Sequence, residues 1–215
     1  MKVSIVGDNP NSWMNSYAKE FLPKLRCDAN FYIDHESITK GDIAFFLSCE
    51  KKISKQIMSR NTHNIVIHAS ELPKGKGWSP VTWQIIEGKN HIPLTLFEAD
   101  EKIDSGKVYM RDYFELEGHE LIEEIREILV GKIFSVINRF IEKYPNWEGT
   151  PQKGEESFYK KRTPGDSLLD TDKTIAEQFD LLRVVDNERY PAFFEFQGHK
   201  YVLSISKADR SGKGT

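Results

Sequence analysis

The sequence predicts an α/β fold: a Rossmann-like, parallel-rich sheet flanked by helices, with a small α+β unit at the C-terminal end. Short apolar runs rich in β-branched and aromatic residues alternate with helical patterns, at 2–7, 29–33, 42–48 and 64–68. Such alternation is typical of parallel strands joined by crossover helices. The 215 residues suit either one large domain or one domain with a small appendix.

The elements follow in a regular order along the chain. Ser12 is placed to cap a helix over 13–25, because serine side chains satisfy free N–H groups at helix starts. A polar, glycine-punctuated loop over 71–80 follows the fourth strand. The remaining predicted elements are a helix over 54–59, a short helical run after residue 80, strands over 93–98 and 107–114, and a long amphipathic helix over 118–144.

A Pro/Gly/charged connector over 145–165 predicts a boundary between two units. Beyond it we expect a helix over 171–185 and a hairpin of strands 192–196 and 201–205. The chain then divides into a catalytic domain (1–148), a small substrate-side unit (149–209) and a flexible tail (210–215).

Composition and charge exclude several classes of protein. The net charge of −3 comes without a block of like charges, so we expect no nucleic-acid partner. Cys27 and Cys49 lack metal-ligand spacing, as do the histidines, so the spacing predicts no metal and favours a reducing, cytoplasmic location. Because a strand pattern begins directly after Met1, we expect no signal peptide, and no apolar run approaches the ~20 residues that span a bilayer.

Three polar residues lie at the carboxyl ends of predicted strands. Asp8, Ser48 and His68 therefore lie at one rim of the predicted sheet, where such folds bind ligands. Asp104 comes just after a later strand, and a carboxylate beside an imidazole fixes its tautomer and stabilises its charged form. Alone, His68 is as consistent with a structural histidine, and Asp104 with a turn former.

A longer pattern around these two residues is specific. His68-Ala69-Ser70 is followed by Leu72-Pro73, Lys76-Gly77, Leu94-Thr95 and Asp104-Ser105-Gly106. This order resembles the formyltransferases that use 10-formyltetrahydrofolate. The resemblance implies that His68 and Asp104 are catalytic, and that Phe46, Leu47, Ser48 and Asp104 border the cofactor.

One position departs from the family pattern. The family has a catalytic asparagine two residues before the histidine, where this chain has Val66. Asn64, on the same face of the strand, and Asn90 are the candidates to replace it, and the sequence does not choose between them.

The chain is most similar to the sugar N-formyltransferases of the pseudaminic acid pathway. The implied reaction transfers the formyl group to the 4-amine of a UDP-linked amino-dideoxy sugar. A methionyl-tRNA formyltransferase and a non-catalytic nucleotide-sugar-binding module are the alternatives. The implied substrate-binding residues are Asp8, Asn9, Asn11, Ser12, Trp13, Lys76, Trp78, Arg183, Asn187, Arg189 and Tyr190.

Overall fold

The computed structural model describes residues 1–208, and it contains the predicted mostly parallel sheet. Six strands lie in the order β2-β1-β3-β4-β6-β7. The first four are parallel, whereas β6 and β7 are antiparallel to their neighbours. The strands are β1 (Lys2–Val6), β2 (Asp28–Tyr32), β3 (Gly41–Phe46), β4 (Asn61–His68), β6 (His91–Glu98) and β7 (Val108–Glu115).

Two sets of helices cover the two faces of this sheet. The helices are α1 (Met14–Phe21), α2 (Lys55–Met58), α3 (Pro80–Ile86), α4 (Ile122–Lys143) and α5 (Phe179–Leu182). On one face, Phe21 of α1 stacks on Phe134 of α4, and Phe140 packs edge-on against Phe45 of β3. The α2 face buries Ile57 against apolar side chains of β1 and β3. The predicted fold class is confirmed.

The first helix is shorter than predicted. It begins at Met14, and Ser12 accepts only a long 3.4 Å contact from the Met14 N–H, so its predicted capping role is wrong. The chain continues from Phe21 as a 3₁₀ turn over Leu22–Lys24. Pro23 explains this end, because proline has no N–H to continue an α-helix.

The C-terminal part contains less helix than the sequence predicts. Only a 3₁₀ turn (Ala176–Gln178) and α5 form within the predicted helix over 171–185. Side chains bind the local backbone instead: Gln178 donates to three carbonyl groups and Thr174 accepts from an N–H. Such bonds compete with helix formation.

Two small two-stranded sheets complete the fold. β5 (Lys76–Gly77) pairs in parallel with β8 (Phe158–Tyr159). β9 (Ala192–Phe196) pairs with β10 (His199–Leu203), so the predicted hairpin forms with its second strand two residues earlier. The predicted boundary near residue 148 stays a prediction, and the predicted tail, 210–215, lies outside the described residues.

Within residues 1–208, every helix is either too short or too polar to cross a membrane. The cytoplasmic location stays a prediction.

Candidate functional site

His68 is the last residue of β4, and it lies in the interior with 9% of its surface exposed. Its Nε2 atom is 2.8 Å from the carbonyl oxygen of Gly75. Because a carbonyl only accepts, we assign the ring proton of neutral His68 to Nε2. Nδ1 is then a free lone pair, which is what a proton acceptor needs.

Asp104 faces that lone pair from the turn after β6. Its Oδ2 atom lies 4.0 Å from His68 Nδ1 and accepts a hydrogen bond of 2.9 Å from the Gly77 N–H. The two side chains are only 10% and 12% exposed. The structure thus brings together the two residues that the sequence pattern singles out, with the carboxylate oriented by the backbone of β5.

The connector holds the Asp104 turn from the other side. The Gln152 side-chain amide donates to the carbonyl groups of Asp104 and Gly106, each at 3.0 Å. Buried Lys76 donates to Ser105 Oγ at 2.8 Å and to Glu156 at 2.6 Å. Asp104 needs this support because its φ of +49° is uncommon outside glycine.

Sequence reasoning missed Gln152 and Glu156. Both belong to a polar connector, and nothing in its composition marks one polar residue above the others. Only the pairing of β5 with β8 brings the connector beside the Asp104 turn. This contact could not be found from spacing, because it joins segments some 80 positions apart.

Val66 presents an apolar side chain on the His68 face of β4. It packs between Phe46 on one side and Leu72, Phe97 and Val108 on the other. It has no hydrogen-bonding group for a developing negative charge. Beside His68, Val66 therefore supplies an apolar floor where the family has an amide.

Neither candidate asparagine is brought beside His68. Asn64 lies four strand positions away, about 13 Å at ~3.3 Å per residue, and its amide donates to the Met58 carbonyl. Asn90 precedes β6 and accepts a 2.5 Å hydrogen bond from Arg183. Both amides have other structural partners, so the asparagine is not replaced from these two positions in this arrangement.

The residues expected to border the cofactor end β3. Phe46 and Leu47 are buried, and the Leu47 N–H donates to the Val6 carbonyl of the neighbouring strand. Ser48 has a φ of +54°, so the chain turns sharply there and leaves the sheet. This turn places the Ser48 backbone on the same rim as His68.

The turn after β1 is held by its own polar side chains. The buried Asp8 carboxylate accepts hydrogen bonds from the N–H groups of Glu50 and Lys51, so it fixes the loop after β3. Asn9 donates to the Glu50 carboxylate at 2.9 Å and accepts from the Asn11 N–H. The Asn9 amide, as the largest cause, holds the pKa of Glu50 below its ordinary value; burial acts in the opposite direction, and Lys161 adds to the lowering.

Lys161 links this turn to Trp78. Its Nζ atom lies 3.2 Å from Glu50 and 4.2 Å above the Trp78 ring. Trp78 is 36% exposed, so part of the indole is open to a ligand. The ion pair of Lys161 with Glu50 thus connects two of the predicted substrate residues, Asn9 and Trp78.

Four other predicted substrate residues line a common groove of about 800 Å³. Arg126 of α4 lies in its wall, 5.3 Å from the Trp13 ring and 2.7 Å from the Asp186 carboxylate. Burial alone raises the pKa of Asp186, but hydrogen bonds from Arg126 and nearby N–H groups outweigh it and lower that pKa. The four residues are Asn11, Trp13, Asn187 and Arg189.

The structure places the remaining predicted substrate residues differently. Arg183 is completely buried and donates to Asp180 and Asn90, so it joins α5 to the loop before β6 rather than facing a ligand. Lys76 is 1% exposed and bound as described above. Tyr190 is half-buried, and its carbonyl accepts from Ser167.

Taken together, the rim has a proton acceptor, a carboxylate that can stabilise it once protonated, an apolar floor and a separate polar groove. This arrangement can deprotonate a nucleophile held beside His68.

The family model described as "Formyl transferase" matches residues 23–130, just over half of the chain. The bifunctional polymyxin resistance protein ArnA of Wigglesworthia glossinidia brevipalpis is 26% identical over 176 residues, which cover 80% of this chain and 27% of that protein. The chain spans between 27% and 53% of the length of the first curated relatives.

Two solved structures share the fold over nearly their full length. A methionyl-tRNA formyltransferase from Clostridium thermocellum has a TM-score of 0.75 at 21% identity, covering 99% of this chain and 95% of that one. A sugar N-formyltransferase from Shewanella sp FDAARGOS_354 has a TM-score of 0.65 at 16% identity, covering 97% and 98%. With a family match over half of its residues, this chain belongs to the formyl transferase family.

Proposed function

We propose that this protein transfers a formyl group from 10-formyltetrahydrofolate to a primary amine. The observation that carries the proposal is the pairing of His68 Nδ1 with Asp104 Oδ2 at 4.0 Å on the ligand-binding rim of the sheet. A structural histidine would not need a carboxylate held opposite its free nitrogen. The family match over residues 23–130 supports the same reaction.

The residues around His68 fit the cofactor. A pterin is a flat ring with a polar edge, and here an apolar floor at Val66 meets exposed backbone after β3 and in the turn before Asp104. Phe46, Leu47, Ser48 and Asp104 would hold it. When bound, the cofactor supplies a formyl carbon that is activated for attack by an amine.

His68 acts as the base in this proposal. An amine attacks only when neutral, so a proton must leave it during the reaction. Nδ1 of His68 takes that proton, while the Gly75 carbonyl holds Nε2–H and fixes the ring. Asp104 then faces a positively charged imidazolium and stabilises it.

The substrate that we favour is a UDP-linked sugar carrying a 4-amine, as in the pseudaminic acid pathway. The groove lined by Asn11, Trp13, Asn187 and Arg189 supports it, because it offers an indole surface for stacking beside a cation. Trp78 and Lys161 offer a second such pair nearer the turn after β1. A fold neighbour named as a sugar N-formyltransferase supports the same class.

Methionyl-tRNA is the second candidate substrate. The curated relatives include methionyl-tRNA formyltransferases at 25–29% identity. The net charge of −3 counts against it, since binding to a polyanion depends on released counterions around basic residues.

The test is a substrate panel. The full chain is incubated with 10-formyltetrahydrofolate and, separately, with UDP-linked 4-amino sugars, nucleotide sugars lacking the amine, and methionyl-tRNA. The proposal expects one formyl group to appear by mass spectrometry only on the amino sugars. Formylation of the tRNA alone overturns the sugar substrate, and the absence of any turnover overturns the transferase.

A further inference from the structure

A second cluster of reactive side chains lies on the rim, apart from His68. Asp8 follows β1, His35 opens the 3₁₀ turn after β2 (His35–Ser37), and Cys49 lies in the loop after β3. One donor atom from each residue lies within 4.8 Å of the other two. Three separate segments of the chain therefore present an oxygen, a nitrogen and a sulfur to one point.

Two polar atoms of these three residues are buried without a hydrogen-bond partner within residues 1–208. They are His35 Nε2 and Asp8 Oδ1, the carboxylate oxygen that no N–H group binds, on residues that are only 7% and 5% exposed. The His35 Nε2 atom is 3.7 Å from Asp8 Oδ2, which is too far for a hydrogen bond. Leaving buried polar atoms unpaired costs free energy, so this point in the fold favours an occupant.

The surrounding contacts hold these side chains in place. The second carboxylate oxygen of Asp8 accepts from the N–H groups of Glu50 and Lys51. The His35 ring packs edge-on against Phe46, with centroids 5.4 Å apart. The Cys49 sulfur lies 3.5 Å from the Val6 carbonyl oxygen. Hydrogen bonds to a carboxylate, like those to Asp8, are typical of a ligand that is oriented for a metal ion.

We propose that Asp8, His35 and Cys49 form a binding site for a divalent transition metal, with Zn²⁺ as the best match. Carboxylate, imidazole and thiolate are the three protein ligands that Zn²⁺ uses, and a water completes the tetrahedron. Binding releases the thiol proton of Cys49 to solvent. This proposal goes beyond formyl transfer, and the metal has no part in that reaction.

The role of the metal is to join three segments of the rim. Zn²⁺ bonds of ~2.0–2.3 Å place tetrahedral ligand atoms about 3.5 Å apart. The donors are up to 4.8 Å apart here, so binding draws the His35 turn and the Cys49 loop towards β1. Asn9 and Ser48 adjoin these ligands in sequence, so the metal orders the part of the rim that we assign to cofactor and substrate.

The test titrates the purified full chain, stripped with a chelator, with Co²⁺ alone and then with Zn²⁺ alone. We expect one equivalent of Co²⁺ to bind with a thiolate-to-metal charge-transfer band in the near ultraviolet, and Zn²⁺ to displace it. Cys49→Ser should abolish the band. His35→Ala removes a direct ligand, so it should weaken binding by at least the roughly tenfold that loss of an outer-shell contact causes. Cys27→Ser, which removes the other thiol, should leave both the charge-transfer band and the binding affinity unchanged.

Either of two results overturns the site. One is the absence of saturable binding or of the thiolate band in the wild-type protein. The other is equal affinity in wild type, Cys49→Ser and His35→Ala. Thermal melting of each variant without metal checks its folding. If a variant fails to fold, the cobalt spectrum of Cys27→Ser decides, because Cys49 is its only thiol and only coordination by a thiolate gives that band.

Discussion

Replacing Asp104 by asparagine removes the negative charge beside His68 and little else. An asparagine oxygen can still accept the hydrogen bond that the Gly77 N–H donates at 2.9 Å. The size of the side chain and the turn are also preserved. The variant therefore isolates the electrostatic contribution of the carboxylate to the protonated state of His68.

The magnitude follows from the 4.0 Å distance between His68 Nδ1 and Asp104 Oδ2. Two unit charges at that distance interact by about 4 kcal/mol at an effective dielectric of about 20. Since each 1.36 kcal/mol changes a rate tenfold, Asp104→Asn should lower kcat by about 10³-fold. The KM values for cofactor and amine should change little, because this charge acts mainly once the imidazolium has formed.

Initial rates with saturating 10-formyltetrahydrofolate and amino sugar measure this effect. Asp100→Asn is the matched control, because Asp100 is an exposed carboxylate in the same loop. It should retain nearly full activity. A loss of less than tenfold in Asp104→Asn, with unchanged thermal stability, would refute the role of Asp104 as the group that stabilises protonated His68.

Three further substitutions test the structural account. Gly77→Ala should lower both the stability and kcat, because the φ of Gly77 is +95° and an added Cβ would lie 2.6 Å from a carbonyl oxygen of β8. Its control is Gly131→Ala on α4, which has open space around it and should be neutral or slightly stabilising. Arg183→Met should destabilise the fold by about 3–5 kcal/mol in urea unfolding, since it removes the cation 3.6 Å from the buried Glu120 carboxylate, yet KM of the folded fraction should stay the same. Lys160, as the largest cause, lowers the pKa of Asp166 to about 2. The stabilisation by Asp166 is therefore present above the ordinary carboxyl pKa and lost as pH falls towards 2, so Asp166→Asn should reduce stability at neutral pH and flatten its acid dependence, measured by thermal melting.

The sheet and the central pair of residues could be predicted from the sequence because both are encoded locally. Apolar runs bounded by polar turns fix the strands, and the carboxyl ends of parallel strands meet at one rim. His68 closes such a run, Asp104 lies in the turn after a later one, and the order of motifs between them indicated the family that the comparisons confirm. The connector contacts to Asp104 join distant segments, and no local pattern encodes them.

The sequence did not reveal which polar residues are buried by contacts with distant parts of the chain. An arginine is usually exposed, so Arg183 looked available for a substrate, but one of its two hydrogen-bond partners, Asn90, lies in a loop 93 positions away. Asp8 likewise looked open, whereas backbone N–H groups of the loop after β3 surround its carboxylate. The predicted helix over 171–185 was wrong for a local reason, since Thr174 and Gln178 bind the backbone that a helix would use.

The most direct test of formyl transfer follows an isotope-labelled formyl group by NMR. The label starts on 10-formyltetrahydrofolate, with a UDP-linked 4-amino sugar as acceptor, and wild type is compared with His68→Asn. We predict that wild type moves the label to the sugar amine and that the variant does so about 10²–10⁴-fold more slowly, the range for loss of a general base. Transfer by His68→Asn at the wild-type rate would contradict the assignment of His68 as the base.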